Sequence, residues 1–456
     1  MTKSDPQGNE PAPEAGRKQR LQRWLSPKNV NFVSSDAQRL YRERVTRFIN
    51  VINLETPDRV PVVLPSAYFP AYYAGMDLRT VMYDYDKMRQ AWLKFMQDFE
   101  MDSFSGPGYM VPGKVYEHLG SRMVKWPGYG LPDDVSSHQF VEGEYMKADE
   151  YDIFMQGQLE YFLRYFLPRS WDVFEPFARI GKFSSGYDSM FRILEAAADP
   201  EFIASCRTLA EGAQEFIKWR KAVGGIDRTI LEAGFAPFRG PVCSAPFDVF
   251  ADTMRGTKGI MMDMYRQPDK LLEAVERITP HLLNNIIEAA DHFPSPIIFM
   301  PLHKGDDAFM SEEQYLRFYW PSLKQLVLGF IDAGLVPLMF AEGKYNNRLE
   351  IIQELPRGSV VWYFDQTDMA RAKKILGGKA CIMGNVPASL LVTGKPQEVK
   401  EHCRRLIEVC GPGGGYILTG GAGINTGNPD NLHAMMQAAL EYGWYPLHQP
   451  HAPDTV

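Results

Sequence analysis

What the chain lacks narrows it first. No stretch approaches the ~20 consecutive apolar residues that a membrane span requires. The opening MTKSDPQGNEPAPEAGRKQR has no apolar h-region, so no secretory signal is expected. There are only five cysteines, Cys206, Cys243, Cys381, Cys403 and Cys410, none in a CxxC pair, and their number is odd. That pattern favours reduced thiols in the cytoplasm over a disulfide framework. Nor is there a basic excess: 56 acidic residues face 49 Lys and Arg, a net charge of −7. Nucleic acid, which usually leaves a basic stripe, is not called for. A glycine-rich phosphate fingerprint after the first strand candidate is missing too.

What is there is the composition of a protein with a substantial core, 45% hydrophobic and 23% charged over 456 residues. Residues 1–35 are rich in Pro, Gly, Glu and Lys and read as a flexible tail with a short amphipathic piece near Leu21–Leu25. Residues 36–446 read as the folded body and 447–456 as a second tail. A helix is expected over Asp36–Asn53, and TPDRVPVVLP leads into the first strand. Another helix is expected over Asp86–Phe99. The loops SGPGYMVPGK and WPGYGLPDD are rich in rings, and helices follow at Ser189–Ala197 and Pro200–Val223. TILEAGFAP reads as a strand.

The second half is more regular. PIIFMPLH, VPLMFAEG, SVVWYFDQ, KACIMGNV and GYILTGGAG are apolar strands, each followed by a helix. Five strand–helix units with short connections imply a parallel sheet buried on both faces. The length suits a (β/α)8 TIM barrel with N-terminal helical and loop elaborations rather than an open doubly wound sheet. GPGGG precedes a strand, so it reads as a helix stop and not as a phosphate loop.

Barrel enzymes carry their reacting groups at the C-terminal ends of strands. That rule nominates His303, Lys304 and Asp306 after PIIFMPL, Glu342, Lys344 and Tyr345 after VPLMF, Asp365 after VVWYF and Asn385 after ACIMG. Glu342 can ligate a metal or act as a general acid, or it can merely anchor its loop through Lys344 or Arg348. His303 can be a ligand or proton donor, or a histidine satisfied by the HKGDD turn. Together His303, Glu342 and Asp365 would form an N/O ligand set for zinc. Asp368 reads as a helix-start residue. Asn385 orients a ligand or fixes its own loop. Tyr68, Phe69, Tyr72, Tyr73, Tyr109, Trp126 and Tyr129 either line a pocket for a flat substrate or pack the core.

Three phrases in order, TPDRVPV, APFDVFADTMRGTKGIMMDMYRQPDKLLEAVERIT and GNVPASLLVTGKPQEVKEHCRRLIEVCGPGGGYILTGGAGIN with NPDNLHAMMQAALEYG, resemble the uroporphyrinogen decarboxylase superfamily. The resemblance runs from about Pro57 to Gly443 and implies the barrel. It also implies either decarboxylation of a tetrapyrrole or methyl transfer involving a corrinoid protein or coenzyme M. Where the decarboxylases have an arginine-rich RQAGRY segment, this chain reads LPSAYFPAYYAG. A substrate with eight carboxylates would lose its cationic partners there. Asp102 is the counterpart of the acid deep in the decarboxylase cleft.

The zinc-binding methyltransferases have a His-x-Cys pair and a final Cys where this chain has Phe340-Ala341-Glu342 and Gly421-Ala422-Gly423. The remaining pattern, FxEGxYxxRLE, is similar to a branch associated with corrinoid-dependent demethylation of methyl ethers. The resemblance therefore implies a methyltransferase moving a methyl group from a small oxygen-linked donor to a corrinoid protein, with zinc as a possible cofactor. His303, Glu342 and Asp365 would act on the leaving oxygen, and Asp102, Tyr109, Trp126, Lys344, Tyr345 and Asn385 would bind substrate. Cofactor-free decarboxylation and a non-catalytic corrinoid- or tetrapyrrole-binding protein are the alternatives.

Overall fold

The computed structural model describes residues 12–181 and 186–447. The parts of the two expected tails at 1–11 and 448–456 lie outside the described residues.

Apolar runs without alternation need cover on both faces, and they obtain it in one parallel sheet. Strands Ile297–Leu302, Val336–Ala341, Val361–Phe364, Cys381–Met383 and Tyr416–Ile417 pair in chain order. The ring is closed by three shorter extended segments joined through single bridges. Leu418 pairs with Val62, Val63 with Ser103, Ser103 with Ala236 and Val242 with Phe299, all parallel. Counting these segments gives the eight staves of a (β/α)8 barrel, as expected. The first and third staves are short because prolines at 61, 65, 237 and 241 remove ladder donors.

The side-chain period of two sorts residues between inside and outside. Ile297, Val336, Leu338, Val361, Cys381, Met383 and Ile417 cluster with Ala236 and Phe238 inside the barrel. The larger apolar cluster fills the space between strands and helices.

The N-terminal end of the barrel is plugged. Where a loose tail with a piece at Leu21–Leu25 is expected, a helix runs over Ala12–Leu25. Its Trp24 is wholly buried against Phe48 and Phe238, at ring separations of 6.2 Å each. One large ring docked in the barrel orders a segment whose composition alone would not. The helix Ser35–Ile52 beside it, capped by Ser34, matches its expected span.

TILEAGFAP is a second correction. The helix from Pro200 continues to Glu232, and only Phe235–Phe238 lies extended. Trp219, Val223, Ile226 and Ile230 repeat at helical spacing and are buried, which outweighs the local β preference of Thr229 and Ile230.

Asp102 is also not a cleft residue. It sits fully buried at the start of the second stave. Its carboxylate accepts from Arg47 at 2.5 Å, from Arg59 at 2.7 and 2.8 Å and from the Val62 amide at 2.8 Å. All its acceptor capacity is spent joining the plug to the first two staves. Removing one partner of such a buried pair leaves uncompensated charge, at a cost of about 3–5 kcal/mol. Asp102→Asn should therefore lower stability by that order in urea unfolding, with the histidine titrations at the other end of the barrel unchanged. Unaltered stability with lost ligand binding would return Asp102 to the site.

A charged ring at the mouth of the barrel

Register places the candidates before any contact is considered. Leu302 pairs with Ala341 and Ala341 with Phe364, so the next residues, His303, Glu342 and Asp365, stand at one level. Tyr363 pairs with Met383, which brings Asn385 level with Asp365. All four extend the inward-facing series. One layer below them Phe340 stacks on Tyr363 at 4.3 Å and on Phe299 at 6.2 Å, giving an aromatic floor.

Above the floor is a cavity of about 520 Å³ lined by Tyr68, Tyr109, His138, His303, Asp306, Phe340, Glu342, Asp365 and the 422–423 backbone, among others. Among the described residues its lining holds three carboxylates and two histidines and no lysine or arginine.

His303 is the centre of the electrostatics. Its Nδ1 is 2.6 Å from Asp252 Oδ2, and its Nε2 faces Glu342 Oε1 at 3.6 Å. Its amide donates to Asp248 Oδ2 at 2.9 Å. Burial pulls the imidazole pKa down, but the Asp252 hydrogen bond and charge, with Glu342 and Asp248, prevail and raise it to about 9. Glu342 is raised by burial and by Asp365 and Asp252, against the pull of His303 and Lys304.

Asp248 is wholly buried. Its Oδ2 also accepts from Tyr319 at 2.8 Å, while Oδ1 is buried without a partner among the described residues. Burial and the neighbouring Asp252 push its pKa up.

Asp248 and Asp252 were not among the sequence candidates. Their signal was present in FDVFADT, two acids four residues apart on one helical face. They also add a second candidate ligand set around His303. Among the described residues, the three groups whose ligand atoms converge within 4.8 Å are Asp248, Asp252 and His303, not His303, Glu342 and Asp365. The histidine's partner is thus a helix carboxylate rather than its own turn.

The remaining candidates separate. Tyr109 lines the cavity, its hydroxyl donating to the carbonyls of Ser66 and Ala67. Asp365 Oδ2 accepts from the Gly343 amide at 3.1 Å, and Asn385 ties that loop by donating to the Asp365 and Thr367 carbonyls at 3.0 and 2.7 Å. Asp368 caps the helix Met369–Leu376, as its position suggested.

Lys344 is exposed, and Tyr345 is fully buried with its amide on Thr367 Oγ1. Trp126 is buried away from the mouth, stacked on Tyr129 at 4.1 Å and donating to Tyr83 at 3.0 Å. These three do not line the cavity. His138 does, bonded through Nδ1 to the Tyr68 hydroxyl at 2.6 Å, and nothing in its sequence surroundings announced it.

Comparison with known proteins bears on this geometry. The family profile of uroporphyrinogen decarboxylase (URO-D) matches residues 234–442. That stretch is similar to the family over a little under half of the chain. The family segment supplies the third stave, all five paired strands and each of Asp248, Asp252, His303, Glu342 and Asp365.

Relatives named uroporphyrinogen decarboxylase include one from Chlorobaculum parvum, 24% identical over 183 residues, which are 39% of this chain and 51% of that protein. Another, from Anaeromyxobacter dehalogenans, is 31% identical over 139 residues, 30% of this chain and 38% of that protein. The chain thus spans only about 38–51% of the length of these relatives. A methyltransferase from Methanosarcina mazei has the same fold, with a TM-score of 0.54 at 16% identity, covering 87% of this chain and 98% of that one.

The site carries a pH prediction. His303 is raised in the fold, so its pairing with Asp252 stabilises fully below about pH 6.5, the ordinary histidine value, and the gain is lost as pH rises through about 9. In Asp252→Asn the His303 resonance should titrate near or below 6.5 by NMR, and melting temperature should no longer fall across that window. An unchanged titration would remove Asp252 from this role.

Proposed function

We propose that the cavity catalyses methyl transfer from a small oxygen-linked donor to a corrinoid carried on a separate cytoplasmic protein. The observation that carries this reading is His303, bonded on one nitrogen to Asp252 and presenting the other to the cavity beside Glu342. Reduced cobalt on the partner supplies the nucleophile that takes the methyl group. The electron pair of the broken C–O bond stays on oxygen, and that oxygen needs a proton. His303 Nε2–H donates it, Asp252 holds the ring in orientation and offsets its charge, and Glu342 can return a proton to Nε2 after the alcohol or phenol leaves. Tyr109 and Phe340, the latter backed by Phe299 and Tyr363, provide an apolar bed for the donor.

Decarboxylation of a tetrapyrrole is the reading that the relatives' names suggest. The absence of lysine and arginine from the cavity lining weighs against it, because eight substrate carboxylates would face Asp306, Glu342 and Asp365.

Zinc is the remaining question at these atoms. Two zinc ligands at about 2.1 Å and near the tetrahedral angle lie about 3.4 Å apart, close to the 3.6 Å between His303 Nε2 and Glu342. A carboxylate on the other imidazole nitrogen is the usual outer partner of a metal-bound histidine. Zinc held by His303 and Glu342 would polarise the donor oxygen. Nε2 carries a proton or a metal, not both.

The test uses the whole chain with reduced cobalamin and a panel of methanol and methoxyphenols, following the methylcobalamin spectrum and the free alcohol. His303→Gln should lower the rate by about 10²–10⁴-fold, the usual contribution of a positioned acid. No methyl transfer from any ether or alcohol, together with carbon dioxide release from uroporphyrinogen, would overturn the proposal. Elemental analysis settles the acid. About one zinc per chain, lost in His303→Ala and in Glu342→Ala, would replace the proton with a Lewis acid.

A further inference from the structure

A second cavity, of about 690 Å³, lies against the flank of the barrel between the second and third staves and the helix Pro200–Glu232. Rings dominate it, with Phe104, Tyr109, Trp219, Phe235 and Phe293 in its walls. Tyr109 also lines the charged cavity, so the two are back to back.

Between them stands Arg239, where the wall steps from the Ala236 bridge to the Val242 bridge. The following Gly240 is needed there, because a Cβ would fall 2.2 Å from the Ile297 carbonyl oxygen. Its guanidinium carbon is 5.2 Å from the ring centres of both Tyr109 and Phe299. Among the described residues it has no hydrogen-bonded carboxylate or carbonyl. Asp227, an acid in the same cavity, uses Oδ1 on the Gly106 amide at 2.7 Å and acts on Arg239 through space, without a hydrogen bond to it.

A guanidinium does not discharge, and a charge set among rings is costly without an anion. Its planar fork is the group that takes a carboxylate through two parallel hydrogen bonds. A cavity of this size suits a small molecule, typically in the range of about 300–1,000 Å³.

We propose that this flank cavity binds an aromatic carboxylate, its carboxylate on Arg239 and its rings among Phe104, Trp219 and Phe235. The site is independent of the methyl-transfer reading. Its charge separates the two ligands, with an acidic lining on one side of Tyr109 and a guanidinium free of any hydrogen-bonded acid on the other.

Isothermal titration of the whole chain with 2-naphthoate and with 2-naphthamide tests it. Naphthoate should bind, and the uncharged amide should bind at least about tenfold more weakly. Arg239→Met should lose at least tenfold in naphthoate affinity while melting no lower than wild type, since it removes an unpaired charge rather than a bond. Arg239→Lys, which keeps charge without the fork, should fall between. His303→Gln should bind naphthoate as wild type does. Equal affinity in Arg239→Met, preference for the amide, or no binding of naphthoate up to millimolar concentration would each overturn the proposal. So would loss of binding in His303→Gln, or a marked fall in the melting temperature of Arg239→Met.

Discussion

The two-residue repeat of an extended chain is the constraint on which the rest depends. Once five parallel strands close with three short staves into a ring, every second residue must point inward. Inward positions over the three layers beneath the mouth are apolar, from Ile297 and Val336 up to Phe340 and Tyr363. The same parity carried one step past the strand ends delivers His303, Glu342, Asp365 and Asn385. These charges are therefore not scattered loop residues. They form the next layer of the same column, held by the ladder beneath them.

That column explains why the mouth was legible in the sequence. Apolar strands ending in His, Glu, Asp and Asn show directly in PIIFMPLH, VPLMFAEG, SVVWYFDQ and KACIMGNV. What the sequence did not show is what comes from other elements. Asp248 and Asp252 arrive from a helix some fifty residues before His303, and their pairing with it exists only once that helix packs on the strand end. His138 arrives from a loop. Asp102 failed for the opposite reason. A buried acid near a strand looks the same in sequence whether it serves a ligand or two arginines, and here Arg47 and Arg59 claim it. The Trp24 helix was missed because composition averages over a segment, whereas one docked ring decides its fate.

Within the charged ring, the order of groups matters more than their number. Asp252 lies behind the imidazole, on the side away from the cavity, and Glu342 lies in front of it. A carboxylate behind a histidine keeps it charged and fixes its ring. A carboxylate in front, itself raised by burial, would be placed to exchange protons with it. This separates the holder from the reacting partner by environment alone, with both being simple acids.

The sign of the lining then bears on the family's breadth. A barrel of this type can serve a polyanion only if cations meet the carboxylates, and this mouth presents the reverse. The ring of acids would repel such a substrate while tolerating a neutral methyl donor that needs a proton. Arg239 stands beside Tyr109 in the flank cavity and is absent from the lining of the mouth. Had it pointed through the wall, it would have paired with the carboxylates at the mouth and weakened the field that keeps His303 protonated. Its separation therefore preserves the acid in one cavity and leaves an anion site in the other, with a single tyrosine ring between the two chemistries.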